Sequence, residues 1–213
     1  MQPGVSWRQT WWLQLAVIYT RYLLGGAFVF ASLIKIKGHR FTLPPAPGTP
    51  LHSPERLFET LYQAGLYWQF LGFAQLVAGL LLLTQRYALL GALLFLPIIA
   101  NIYVITISYP FGYTSVITGA MLLATVGLLG WDWSHLRVLL NQPVLPTATA
   151  SQPDKLWEVV GTLLFLFMAS YRAFTDAYNL LFWLGICTGI GATALAIYWW
   201  GQRAKAGQAL PPG

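Results

Sequence analysis

Long apolar runs constrain this chain more than any other feature of its sequence. A helix of about 20 residues crosses the ~30 Å hydrocarbon core of a bilayer. Backbone groups inside lipid must find hydrogen bonds within the chain, which favours helices. The sequence therefore predicts an all-α polytopic membrane protein with six spans, at 11–34, 66–84, 87–109, 111–130, 156–173 and 179–200.

Charge and cysteine content exclude several classes of protein. Only 8% of the 213 residues are charged, against about a quarter in soluble domains. The net charge is +6, but the basic residues lie near span ends, where they contact lipid headgroups. We therefore expect the lipid bilayer, and no nucleic acid, as a partner. Cys187 is the single cysteine, which excludes an internal disulfide or a CxxC redox pair.

The links between the apolar runs divide the chain into two spanning units. We predict a four-span bundle at 1–135, a linker at 136–155, a transmembrane hairpin at 156–200 and a disordered tail at 201–213. Before the second span, Ser53, Pro54 and Glu55 are residue types that favour a helix start. The apolar residues after them share one face, which predicts a short amphipathic helix at the membrane interface.

Three polar residues lie near the middle of predicted spans. Arg21, Gln75 and Asn101 fall in the first, second and third spans. An unpaired arginine inside a membrane costs from ~2.5 to more than ~10 kcal/mol, so it needs a partner. Because no acid lies at mid-depth in any span, we expect Arg21 to use neutral groups, water or a ligand. If the three residues share one depth, there are two alternatives: the amides satisfy Arg21 as interhelical hydrogen bonds, or the three residues line a ligand site.

Basic residues cluster at the end of the first span. Lys35 falls on the same helical stripe as Arg21, so we expect it at the mouth of a cavity whose floor is Arg21. In the hairpin, Asp176 follows Arg172 by four residues, which predicts a local ion pair. The motif Gly185-x-x-x-Gly189 favours close helix contact, either inside the chain or in a dimer. No spacing indicates a metal site, a nucleophile or a dinucleotide site.

Two segments of the four-span unit resemble the DoxX-like family of small bacterial membrane proteins. They are "RYLLGGAFVFASLIKIKG", which contains Arg21, Gly25 and Lys35, and "GFAQLVAGLLLLTQRYALLGALL". The resemblance covers residues 15–135. It implies a four-helix bundle in the bacterial inner membrane and a link to thiosulfate- or quinone-associated redox systems. Family members often carry Glu where this chain has Gln75. This difference removes the acid that could neutralise Arg21, so a proton-transfer or ion-pair role of the family's acid does not carry over to this chain.

Function and localisation follow as hypotheses. We expect a bacterial inner-membrane protein with both termini cytoplasmic, mainly on the resemblance. The leading hypothesis is an accessory, non-catalytic protein that binds a quinone, lipid or anion through Arg21, Lys35, Gln75 and Asn101. The alternatives are a membrane subunit of a quinone-linked oxidoreductase system and a small-solute transporter. A membrane-protein partner or a homo-oligomer fits each of them.

Overall fold

The protein is described by a computed structural model that covers residues 10–109, 111–139, 141–142, 155–176 and 179–208. Within these ranges the chain forms helices and no strand. The helices are α1 (Trp11–Ile36), α2 (Pro54–Gln63), α3 (Leu66–Leu83), α4 (Ala88–Ser108), α5 (Thr114–Trp131), α6 (Trp133–Leu139), α7 (Lys155–Phe174) and α8 (Leu180–Gln208).

Six of these helices are long and apolar enough to cross a membrane. They are α1, α3, α4, α5, α7 and α8, and their limits lie close to the predicted spans. The fold class read from the sequence is therefore confirmed. We call the end of the bundle that holds the start of α1 the proximal end, and the opposite end, where α3 begins, the distal end.

The segments outside the spans partly differ from the predictions. Helix α2 forms as predicted, and the Ser53 hydroxyl accepts a hydrogen bond from the Arg56 N–H at 3.3 Å. The tail prediction is wrong for 201–208, because α8 continues to Gln208. This segment contains alanine, lysine, arginine and glutamine, which are good helix formers. Helix α6 occupies 133–139, while 143–154 and 209–213 lie outside the described residues.

Glycines allow α1 and α3 to cross at close range. A Cβ atom on Gly79 would lie 2.7 Å from the Gly25 carbonyl oxygen, and one on Gly72 would lie 2.8 Å from the Ser32 carbonyl oxygen. No side chain larger than hydrogen fits such a gap without movement, so the small residues set the distance between the helices. Helix α4 packs against α3, and α5 packs against α4. Phe28 of α1 stacks on Phe95 of α4 with ring centroids 3.6 Å apart.

The C-terminal hairpin docks on the bundle. Helix α7 packs against α1 and α3, and the Tyr22 hydroxyl donates a hydrogen bond to the Trp157 carbonyl at 2.5 Å. Helix α8 is held against α1 by a hydrogen bond of 2.8 Å from the Tyr19 hydroxyl to the Gly191 carbonyl. Gly185 and Gly189 have no described atom within 4 Å of an added Cβ. The in-chain contact predicted for them is therefore absent, and the dimer alternative stays a prediction.

Candidate functional site

Arg21 pairs with an acid that the sequence analysis did not assign to it. Its Nη2 lies 3.0 Å from Asp132 Oδ2, and its Nη1 donates to Gln85 Oε1 at 3.2 Å. The expectation that Arg21 has no acidic partner is therefore wrong, although Gln85 is a neutral partner of the expected kind. Helix α1 has 26 residues, more than a bilayer requires, so Arg21 lies level with residues just beyond the ends of α3 and α5. Those residues are Gln85 and Asp132.

Gln85 completes this proximal cluster. It is 3% exposed, and its φ of 60° places it in the left-handed region. This conformation turns the side chain into the bundle, where Nε2 lies 3.4 Å from the Leu82 carbonyl and 3.5 Å from the Ile18 carbonyl. Arg21, Gln85 and Asp132 thus link α1, α3 and α5. The arrangement indicates a structural cross-link, because the charge of Arg21 is already compensated.

Gln75 and Asn101 do not join Arg21. Gln75 lies eight residues before Leu83 on α3, whereas Arg21 contacts the residues after Leu83, so the two differ in depth by roughly 12 Å at 1.5 Å per residue. Gln75 is 2% exposed, and its Oε1 has no hydrogen-bond donor among the described residues. Asn101 is exposed on the outer surface of α4. The predicted convergence of these three residues at one level is not formed.

Lys35 is buried at the distal end. It is 5% exposed, and its Nζ donates to the Ala31 carbonyl at 2.7 Å. The ammonium lies 4.5 Å from the ring centroid of Phe41 and 5.2 Å from that of Trp68. Such cation–π contacts offset part of the cost of burying the charge. No carboxylate forms an ion pair with Lys35 in the described part of the chain.

Arg172 is a second buried cation at this end. It is 4% exposed, and its Nη1 donates to the backbone carbonyls of Thr175 and Asp176 at 3.2 and 3.1 Å. Its Nε has no acceptor in the described ranges. The guanidinium lies 4.5 Å from the centroid of the Phe30 ring and is close enough to Lys35 for the two charges to repel.

The predicted Arg172–Asp176 ion pair is replaced by other contacts. The Asp176 carboxylate instead accepts from Lys37 Nζ at 2.8 Å and lies 3.2 Å from His39 Nδ1. The hydrogen bond from Lys37 is the main reason that the pKa of Asp176 is lowered. Arg172 forms a hydrogen bond only with the backbone carbonyl of Asp176, because the Asp176 carboxylate points toward Lys37 at the end of α1. The carboxylate of Asp176 therefore pairs with Lys37. It is close enough to Arg172 to attract it, but it forms no ion pair with Arg172 or Lys35 in the described ranges.

A cavity of about 240 Å³ lies between α1, α7 and α8. We call it the α8 groove, and its walls include Tyr22, Gly26, Met168, Trp183, Cys187 and Thr188. At its distal end, the Trp183 ring packs edge-on against Phe30 with centroids 5.4 Å apart. Trp183 Nε1 has no acceptor in the part of the chain that is described. Trp183 lines the groove, and Arg172 lies against the same Phe30 ring that Trp183 contacts. Each of the two residues has one buried donor without an acceptor in the described ranges, Trp183 Nε1 and Arg172 Nε.

The sequence did not predict that Arg172 and Trp183 both contact Phe30. The available signal was an arginine within two residues of the end of an apolar span, which is a functional candidate in a membrane protein. Because the spacing of four residues predicted Asp176 as its ion-pair partner, Arg172 was not a candidate for the binding site. Lys35 was predicted as a site residue and lies at this distal end, more than three helical turns from Arg21.

Comparisons with known proteins add little to this geometry. No described protein family matches the chain, and no solved structure matches it. The chain is similar to "Uncharacterized protein YwoB" of Bacillus subtilis (strain 168), with 38% identity over 79 residues. That match covers 37% of this chain and 51% of the relative, so the chain spans about half the length of the curated relative. The DoxX-like resemblance stays a prediction.

Proposed function

We propose that this chain is an accessory, non-catalytic integral membrane protein that binds a small amphiphilic ligand at the distal end of its bundle. The observation that carries the proposal is the burial of Lys35 and Arg172 together, at 5% and 4% exposure, with no carboxylate paired to either in the described ranges. We place the protein in the bacterial inner membrane with both termini cytoplasmic.

The energetic cost of the two cations supports this proposal. A cation withdrawn from water is expensive unless it is paired, and Lys35 and Arg172 are both buried although they lie in the last turns of their helices, where such side chains usually reach the headgroups. Backbone carbonyls and aromatic rings offset only part of that cost for Lys35 and Arg172. A ligand with a carbonyl, carboxylate or phosphate oxygen supplies the missing acceptor.

Arg21 has a different role in this proposal. The proposal does not use Arg21 to bind the ligand, because its Nη1 and Nη2 atoms already donate to Gln85 and Asp132. Gln75 and Asn101 also fall outside the proposed site. Of the four residues predicted to bind the ligand, the proposal retains Lys35 and adds Arg172.

The test is mass spectrometry of an organic extract of the purified, detergent-solubilised protein. Wild type is compared with Lys35→Met and Arg172→Met, and Arg40→Gln is the control because Arg40 is an exposed cation at the same end. We expect wild type and Arg40→Gln to carry the same amphiphile, and both methionine variants to lose at least about tenfold of it, since charge-assisted hydrogen bonds are strong.

Stability separates loss of a ligand from loss of the fold. Methionine removes the charge while keeping most of the side-chain length, so the ligand-free variants should melt no lower than ligand-free wild type. Equal ligand content in all four proteins would contradict the proposal. A quinone in the extract would favour the alternative of a quinone-linked membrane subunit.

A further inference from the structure

We propose that the ligand is an anionic phospholipid whose phosphate accepts hydrogen bonds from Arg172 Nε and Trp183 Nε1 while one acyl chain lies in the α8 groove. This inference rests on the proposed function, because it assigns a chemical class to the ligand of the same distal site. It also gives the α8 groove a role as the binding site of an acyl chain, whereas the proposed function does not involve the groove.

The two unpartnered donors define where a headgroup binds. Arg172 and Trp183 come from different helices, α7 and α8, and both contact the ring of Phe30. The remaining contacts of the Arg172 guanidinium are made by Nη1, which leaves Nε for an acceptor. A phosphate carries several acceptor oxygens and can bind both donors, which a single carbonyl oxygen does less readily.

Local charge favours an anionic headgroup over a zwitterionic one. Lys37 and Arg172 bring two positive charges to the distal end, where the Lys35 amine also lies, and Asp176 supplies the negative charge that pairs with Lys37. His39 also faces Asp176. The net charge of these side chains is positive even when His39 is not counted. A phosphatidylcholine headgroup would bring its own cation into this field, whereas a phosphatidylglycerol headgroup would not.

The groove walls suit a hydrocarbon chain and not a second headgroup. The Tyr19 hydroxyl at the groove is bonded to the Gly191 carbonyl at 2.8 Å. The Thr188 hydroxyl is bonded to the Leu184 carbonyl of its own helix at 2.7 Å. Because both hydroxyls already have partners, the groove presents apolar surface to a ligand, and burial of methylene groups there is favourable.

The experiment is native mass spectrometry of the detergent-solubilised full chain with palmitoyl-oleoyl phosphatidylglycerol or phosphatidylcholine at equal concentration. The groove variant is Thr188→Trp. Its control is Thr193→Trp, because both threonines are exposed on α8 and hydrogen-bonded to their own helix, but Thr193 does not line the groove. Arg172→Gln tests the headgroup donor.

We expect wild type to retain phosphatidylglycerol at least about tenfold better than phosphatidylcholine, since the distal basic residues repel the choline cation and a tenfold factor corresponds to only about 1.4 kcal/mol. Thr188→Trp should lose most bound phosphatidylglycerol, Thr193→Trp should keep it, and Arg172→Gln should lose the preference between the lipids. Equal retention of both lipids by wild type, or equal binding by the two tryptophan variants, would overturn this inference. Binding of another amphiphile that is lost in Lys35→Met and Arg172→Met would leave the proposed function standing, whereas binding that depends on neither cation would remove both.

Discussion

Arg21 Nη2 and Asp132 Oδ2 lie 3.0 Å apart and join the first membrane-spanning helix to the end of the fourth. The Arg21 and Asp132 side chains are 10% and 19% exposed, respectively. Replacing one residue of a buried or half-buried ion pair is costly, because the remaining charge loses its partner. The pair therefore fixes the position of α5 relative to α1.

The first prediction concerns this ion pair. Asp132→Asn should lower the stability of the bundle by about 3 kcal/mol, because Arg21 keeps its charge but loses its counter-ion. The double change Arg21→Met/Asp132→Leu should recover much of that loss, since no charge remains buried. The measurement is unfolding of the purified protein in detergent, followed by circular dichroism. Arg86→Gln is the control for an exposed arginine near the same end, and an equal loss there would refute the assigned role.

The second prediction concerns the crossing of α1 and α3. Gly79→Ala should destabilise the protein by about 1–3 kcal/mol, because the new Cβ atom meets the Gly25 carbonyl oxygen at 2.7 Å and the helices must separate. Gly127→Ala in α5 is the matched control, since nothing described lies within 4 Å of its added Cβ. That change should be neutral or stabilising by up to about 1 kcal/mol. Thermal melting in detergent measures both, and equal effects would show that the close crossing is not needed.

The third prediction is a pH dependence of the distal surface. Arg40 Nε donates to Glu59 Oε2 at 2.8 Å, and this hydrogen bond is the main reason that the pKa of Glu59 is lowered. A lowered folded-state pKa means that the pair contributes stability above the ordinary pKa of glutamate. That contribution is lost as the pH falls through the lowered value. We therefore expect hydrogen exchange in α2 (Pro54–Gln63) to become faster as the pH falls from the ordinary pKa of glutamate through the lowered pKa of Glu59.

Glu59→Gln should remove this acid dependence, because it deletes the titrating group. Glu55→Gln on the same helix is the control, since no ion pair to Glu55 is found in the described part of the chain. Exchange rates are compared after correction for the intrinsic effect of pH. The same acid dependence in Glu59→Gln as in wild type would show that the Arg40–Glu59 pair does not hold α2.

The fourth prediction separates the two amides that the sequence analysis placed with Arg21. Gln75→Leu should be neutral or stabilising, because it removes a buried oxygen that has no donor in the described ranges. Asn101→Leu should change stability by no more than about 0.5 kcal/mol, since Asn101 is exposed. Neither should change the amphiphile found in an organic extract. Loss of the ligand in either variant would return that residue to the binding site.

The spans could be predicted from the sequence because each depends on local properties. Apolar length fixes a crossing helix, and Ser53 with Pro54 fixes the start of α2, without knowledge of the rest of the fold. The continuation of α8 beyond the membrane could have been predicted from the same kind of evidence. Helix formers occupy the segment after Trp200, so a position near the end of the sequence does not by itself predict disorder.

The site could not be predicted in the same way, because it depends on how the helices are placed along one another. Arg21 was assigned a depth from its position in its own apolar run. Its real neighbours, Gln85 and Asp132, lie just outside two other runs, and the length of α1 brings them level. Arg172 and Trp183 contact the same ring only because the hairpin docks on Phe30 of α1. No local pattern in either segment reports that docking.

The most direct test of the account compares the two polar ends of the bundle in one experiment. Organic extracts of wild type, Arg21→Met/Asp132→Leu and Lys35→Met/Arg172→Met are analysed by mass spectrometry at equal amounts of folded protein. The account predicts that the proximal double variant carries the same amphiphile as wild type, and that the distal double variant has lost it. Loss of the ligand in the proximal variant, with retention in the distal one, would contradict the account and make Arg21 the binding residue.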